Sequence, residues 1–180
     1  MIANTMTGAR HERKPPFSGL GPILGPVLGP FLAGLLLGIF ALTGPSGAAT
    51  TEQVVADRHT GLAISGFDPV AYFTDGAPTL GRPDFEYRFA GAVWRFRNEG
   101  NRAAFMADVA VFMPRYGGHD PMALARAVAL PGDPRLWLVV GERLYLFYSP
   151  EARSAFAADS ARMIAIADRH WLSVRRQLSP

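Results

Sequence analysis

The sequence predicts an α+β fold: a small antiparallel sheet of hairpins packed with about three helices, preceded by an N-terminal hydrophobic signal or anchor segment. Three features carry this expectation. Apolar and charged residues alternate in paired runs with tight turns between them, within 85–97 and again within 136–148, as half-buried hairpin strands do. Helix-capping residues stand at Asn98, Asp120 and Ser149, each ahead of a helix-forming stretch. Strands and helices follow one another in an irregular order, which favours α+β over a parallel βαβ architecture.

Residues 1–49 read as a signal peptide or membrane anchor. Arg10, Arg13 and Lys14 precede an apolar stretch from Gly19 to Leu42, and Phe31 to Leu42 is an unbroken run of twelve. Small residues at Ser46-Gly47-Ala48 and Gly47-Ala48-Ala49 suit a signal peptidase, so cleavage near Ala48 or Ala49 is one outcome. The other is a retained anchor, since 24 residues at helical rise reach across a bilayer. Pro22, Pro26 and Pro30 weigh against it, because each removes a helix hydrogen bond where no water replaces it. In both cases the basic flank places the rest of the chain across the membrane. The expected location is periplasmic, or anchored to the inner membrane facing the periplasm.

Residues 50–60 read as a linker and 61–175 as the domain. Gly61 to Gly66 alternates weakly and suggests a short strand into a turn. Asp68 ahead of Pro69 caps the next turn, which makes Val70, Tyr72 and Phe73 core candidates. Phe85 to Phe89 and Val93 to Arg97 form the first hairpin around Ala90-Gly91. Asn98 caps a helix to about Asp108, which Val109 to Phe112 extends until Pro114 ends it. Asp120 caps, and Pro121 opens, an Ala-rich helix as far as Leu130. Leu136 to Val140 and Arg143 to Tyr148 form the second hairpin, and Ser149-Pro150 opens a last helix with Phe156, Met163, Ile164, Ala167 and Trp171 on its apolar face. The sequence shows no internal repeat.

Composition excludes several classes. Of 18 basic and 15 acidic residues, three and one respectively precede the first apolar run, leaving 15 against 14 in the remainder. So even a balance provides no phosphate-neutralising field, and nucleic acid is not an expected partner. With no cysteine, disulfides, thiolate nucleophiles and thiolate metal sites are all excluded.

Chemistry concentrates in Arg115-Tyr116-Gly117-Gly118-His119-Asp120-Pro121, where paired glycines let backbone N–H groups and polar side chains approach a ligand. The candidate ligand-binding set is Arg115, Tyr116, Gly117, Gly118, His119 and Asp68, fitting a small anion near a helix N-terminus. A metal reading uses His119 and Asp120 with a further histidine, a donor set suited to a divalent transition metal such as Zn, Ni or Cu(II). Against it, His59, His119 and His170 have no close metal-motif spacing; in the alternative Asp120 is a helix cap and His119 a surface turn residue. An enzyme reading pairs His119 with Asp68 or Asp120 as general base, but no nucleophile motif, HExxH, P-loop or Rossmann fingerprint occurs. The expectation is binding rather than catalysis. Trp94, Trp137, Tyr145, Tyr148 and Trp171 either form the core or present an aromatic patch to an envelope protein partner.

Several of these segments, in order, resemble exported bacterial proteins of the YHS-domain family: Gly66-Phe67-Asp68-Pro69-Val70-Ala71-Tyr72-Phe73, Trp94-Arg95-Phe96, Asn101-Arg102-Ala103-Ala104-Phe105, Pro114-Arg115-Tyr116-Gly117-Gly118, Gly141-Glu142-Arg143-Leu144-Tyr145-Leu146 and Ala167-Asp168-Arg169-His170-Trp171. The resemblance covers about residues 60–172. It implies a small α+β module of a kind widely labelled metal-binding. The proposed cysteine ligands of metal-associated relatives correspond here to Ala71 and Arg97. Where exported relatives often carry Tyr-Gly-Gly-Tyr-Cys, this chain has Tyr116-Gly117-Gly118-His119-Asp120.

Overall fold

The computed structural model describes residues 52–179, which belong to one compact unit. The N-terminal hydrophobic segment, residues 1–49, lies outside the described residues. The fold is α+β. A 3₁₀ turn at Ile64–Gly66 is followed by α1 (Ala71–Thr74), β1 (Arg82–Phe89), β2 (Ala92–Phe96), α2 (Glu99–Ala107) and α3 (Val109–Phe112). A second 3₁₀ turn at Arg115–Gly118 precedes α4 (Pro121–Leu124), β3 (Asp133–Val140), β4 (Arg143–Phe147), α5 (Pro150–Ala158) and α6 (Ser160–Arg175). The strands make two separate two-stranded antiparallel sheets, β1 with β2 and β3 with β4, rather than one. Among the described residues no helix is long and apolar enough to cross a membrane.

Several expectations are corrected, each for a local reason. Of the short strand into a turn expected at 61–66, only single bridges remain, Leu62 to Val93 and Ala63 to Ala56, because Ile64, Ser65 and Gly66 all take positive φ and cannot extend. The Ala-rich helix ends at Leu124 rather than Leu130: Ala127 takes φ of 58° and the Val128 N–H bonds back to the Ala123 carbonyl. That reversal brings the Leu130 carbonyl to the Asp120 N–H at 2.9 Å. The single C-terminal helix is broken at Asp159, whose non-helical backbone and side-chain bond to the Arg162 N–H end α5 and cap α6. Asp108 separates α2 from α3 in the same way. The expected linker is part of the domain from Glu52 onward: Val54 is buried, the Val55 N–H donates to the Gly117 carbonyl, and the Val55 carbonyl accepts from Ile64.

Two apolar cores flank β4. Its alternating residues face opposite sides, as the strand period of two requires. Leu144 and Leu146 join Tyr72, Trp94, Phe96 and Phe105, whereas Tyr145 and Phe147 join Tyr116, Leu124, Phe156 and Ala167. Each fully buried Phe or Leu contributes about 1.5–3 kcal/mol of transfer free energy, so these clusters are the main stabilising term.

The structure reveals a repeat that the sequence hides. Each 3₁₀ turn holds three successive residues at positive φ, Ile64-Ser65-Gly66 and Tyr116-Gly117-Gly118. Each is followed two residues later by a buried aspartate. Asp68 Oδ1 accepts from the N–H groups of Val70 and Ala71, and Oδ2 accepts from Arg97 at 2.8 Å. Asp120 Oδ1 accepts from Met122 and Ala123, and Oδ2 accepts from Tyr148 at 2.8 Å. Gly81 bonds to the Gly66 carbonyl as Gly132 bonds to that of Gly118. Both glycines lie so close to the facing strand that a Cβ would meet Arg95 at 2.4 Å or Leu146 at 2.5 Å. Each hairpin then has a register shift at the same place, after Arg82 and after Asp133. Each is followed by a capped helix carrying a fully buried phenylalanine, Phe105 or Phe156, and then by a capping aspartate. The halves diverge after that: α3 has 4 residues and α6 has 16.

Candidate binding cavity

The long α6 closes over the second 3₁₀ turn, and the space between them is a cavity of about 700 Å³. Its size falls in the range of small-molecule sites, which are usually concave and mostly apolar with a few placed polar groups. Val54, Met113 and Trp171 supply apolar wall, the backbone of Gly117 part of the floor, and Arg115 and Arg175 the charge. Among the described residues no Asp or Glu lines it, and although Arg115 is paired with Asp168, Arg175 brings a charge with no ion pair, so the cavity has a cationic character.

Asp168 of α6 anchors the turn to the helix. Its Oδ1 accepts from an Arg115 terminal nitrogen at 2.7 Å and from the Tyr116 hydroxyl at 3.0 Å. The phenol is pushed above its ordinary pKa by burial and then by the Asp168 charge, so Tyr116 remains a hydrogen-bond donor. Arg175 Nε donates to Gln53 Oε1 at 2.9 Å. Arg115 Nε is buried with no hydrogen-bond partner among the described residues. Arg102 Nε is also unpartnered, but only Arg115 borders this cavity. A buried unpaired donor costs about 1–3 kcal/mol.

The structure divides the residues expected to form a site. Arg115, Tyr116 and Gly117 line the cavity, and Gly118, His119, Asp120 and Asp68 are buried outside its lining. Asp68 and Asp120 hold the same backbone bonds in the two halves, and Asp68 adds one from Asn101 Nδ2 at 2.7 Å. Both carboxylates are keystones of the repeat. His119, expected on a surface turn, is fully buried: its Nδ1 lies 2.7 Å from the Tyr116 carbonyl and its ring 5.7 Å from that of Trp171. Among the described residues no group of three or more His, Asp or Glu is placed to hold a metal ion. Trp94 and Tyr145 belong to the core, while Trp171 borders the cavity. Sequence reading missed Gln53, Met113 and Arg175, because separations such as the 122 residues from Gln53 to Arg175 leave no local signal.

Burial lowers the His119 pKa from the ordinary 6.5, a weaker opposing pull coming from the Tyr116 carbonyl and the Glu52 charge. The folded state therefore holds the neutral ring. As pH falls below 6.5 the unfolded chain binds the proton first, and stability declines until the folded pKa is passed. Urea unfolding at about pH 7 and about pH 5 reads this decline. His119→Phe, which installs the residue found at the matching Phe67, is expected to flatten it. An unchanged slope in that variant would assign the acid sensitivity elsewhere.

The fold and cavity together define a small α+β module of two structurally repeated halves with a cationic, partly apolar cavity. No family model, curated protein or solved structure matches the chain.

Proposed function

We propose that this chain is an exported, YHS-like binding protein of the cell envelope that takes a small organic anion into the cavity beside Tyr116 and Gly117, without catalysing a reaction. One observation carries the ligand class. Positions that do the same work in both halves, such as Asp68 and Asp120, are explained by the fold. Arg115 and Tyr116 match Ala63 and Ile64 in the first half, so the fold itself does not require a cation and a phenol there. These two groups, with Arg175 and Trp171 from the helix that breaks the repeat, form a cationic and apolar cavity. Guanidinium groups favour carboxylates, sulfonates and phosphates through paired N–H donors, while the apolar wall favours an organic body over a bare inorganic ion. The metal reading of His119 and Asp120 has less support, since the Asp120 oxygens already accept three backbone N–H groups. Export rests on the basic flank and apolar run of residues 10–49, and the family reading on the ordered motifs between residues 60 and 172.

Titration with 2-naphthoate, followed by calorimetry, tests the ligand class. Arg115→Gln and Arg175→Gln are each expected to weaken binding about tenfold or more, the equivalent of one charge-assisted hydrogen bond. The neutral 2-naphthamide is expected to bind much less well. Equal binding of amide and acid, unaffected by either variant, would end the anion reading. N-terminal sequencing of protein from the envelope fraction tests export: a start near Thr50 indicates cleavage, Met1 in the membrane indicates an anchor, and recovery from the cytosol alone overturns export.

A further inference from the structure

We infer that the C-terminal end of α6 is a docking face for an anionic phospholipid surface. Arg169, Leu172 and Arg176 fall on one stripe of the helix, with Arg175 beside them. Leu172, 68% exposed, is the most exposed large apolar side chain among the described residues. Arg82, Arg95, Arg97, Arg102, Arg115 and Arg135 each pair with a carboxylate. Of the arginines that form no ion pair among the described residues, Arg58, Arg88, Arg126, Arg143, Arg153 and Arg162 lie elsewhere, and Arg169, Arg175 and Arg176 stand together at this end of the helix. This end of the helix thus carries uncompensated charge around an exposed leucine. A groove of about 460 Å³ runs there, lined by Gln53, Leu172, Arg175 and Arg176, with no acid in its lining. Acids on the adjoining segments are Asp168, engaged by Arg115 and Tyr116, and Glu52, whose backbone bridges to Ser179.

The chemistry of the face indicates what covers it: three arginines without ion pairs around an exposed leucine complement a surface that is anionic outside and apolar beneath. The Gln53 N–H donates to the Ser179 carbonyl at 2.8 Å beside it, and Arg175 Nε donates to Gln53 Oε1. Arginine suits lipid phosphate, and an exposed leucine beside it gains by entering the headgroup boundary. A face of this kind binds an anionic surface, loses it as salt screens the charge, and ignores a neutral one.

The absence of cysteine makes the test direct, because Leu172→Cys supplies a unique labelling position in the full chain. The protein, as isolated from the envelope, is labelled there with an environment-sensitive dye and mixed with vesicles of phosphatidylcholine, with or without phosphatidylglycerol. In the anionic vesicles a water-soluble quencher is expected to lose efficiency by about threefold or more, and high salt to restore it. Arg169→Gln/Arg176→Gln, which leaves the cavity residues intact, is expected to abolish the protection while 2-naphthoate binding persists. A dye equally accessible in both vesicle types overturns the inference. So does equal protection of a dye at Leu80→Cys, in the first half, which would show unspecific adsorption. Protection that needs another envelope protein would assign the face to that protein and also overturn it.

Discussion

Asp68→Ala is expected to lower the unfolding free energy by about 3–5 kcal/mol, because it leaves two buried and two partly buried donors unpaired at once. Four groups depend on the carboxylate: the N–H groups of Val70, Ala71 and Arg97, and Asn101 Nδ2. They belong to the turn before α1, to the end of β2 and to α2, so one side chain ties three elements of the first half together. A neutral hydrogen bond is worth about 1 kcal/mol net, but an orphaned buried donor costs its full desolvation. Against a domain stability of about 5–15 kcal/mol, this loss is a large fraction. Asp68→Asn keeps the shape and one acceptor oxygen but turns an NH2 toward two of the four donors, so it should cost somewhat less than Asp68→Ala. Asp120→Ala repeats the experiment in the second half, releasing Met122, Ala123 and Tyr148. Urea midpoints for the three variants test the scheme, and a cost below about 1 kcal/mol for either alanine variant would show that the aspartates are not the keystones of the repeat.

Gly117→Ala is expected to destabilise by about 2–4 kcal/mol and to abolish 2-naphthoate binding. Gly117 has φ of +64°, and a Cβ there would lie 2.0 Å from the Gln53 carbonyl oxygen and 3.1 Å from Val54 Cα. No side-chain rotamer relieves a clash with backbone, so the segment through Val55 must move. That movement breaks the 2.8 Å bond from the Val55 N–H to the Gly117 carbonyl. It also displaces Gln53 and Val54, which line the cavity. Gly141→Ala serves as the control: φ is +56°, yet nothing lies within 4 Å of the added methyl. It should therefore incur only the left-handed backbone cost of about 1 kcal/mol. Equal destabilisation by the two substitutions would mean that conformation rather than close approach decides the effect at Gly117.

The two aspartates show how the sequence misleads about sites. Asp-Pro ahead of an apolar run is a capping signal, and Asp68 and Asp120 do cap, but their second oxygens bond 29 and 28 residues away in sequence. Local reading sees half of the job and leaves the other half free for a ligand. His119 misleads in the opposite direction. A histidine between glycine and aspartate reads as a solvated turn, whereas the bridge to Pro131 and the packing of Trp171 enclose it. The repeat is hard to see because its identities are few and scattered: Gly-x-Asp-Pro recurs at 66–69 and 118–121 and a buried phenylalanine at 105 and 156, while Ile64-Ser65-Gly66 and Tyr116-Gly117-Gly118 take the same left-handed path with only the last glycine in common.

The sequence by itself determined the α+β class, both hairpins, and the caps at Asn98, Asp120 and Ser149. Those features depend on alternation and capping between residues near in the chain, so the physics is local. The tertiary structure decided that the strands form two sheets rather than one, that residues from Glu52 onward belong to the domain, and that Arg115, Tyr116 and Gly117 share a cavity with Gln53, Trp171 and Arg175. Each of those depends on contacts between residues far apart in the chain. A closed loop leaves no periodicity, and only the packing of α6 over the second turn reveals which polar groups face open space and which are spent on holding the fold together.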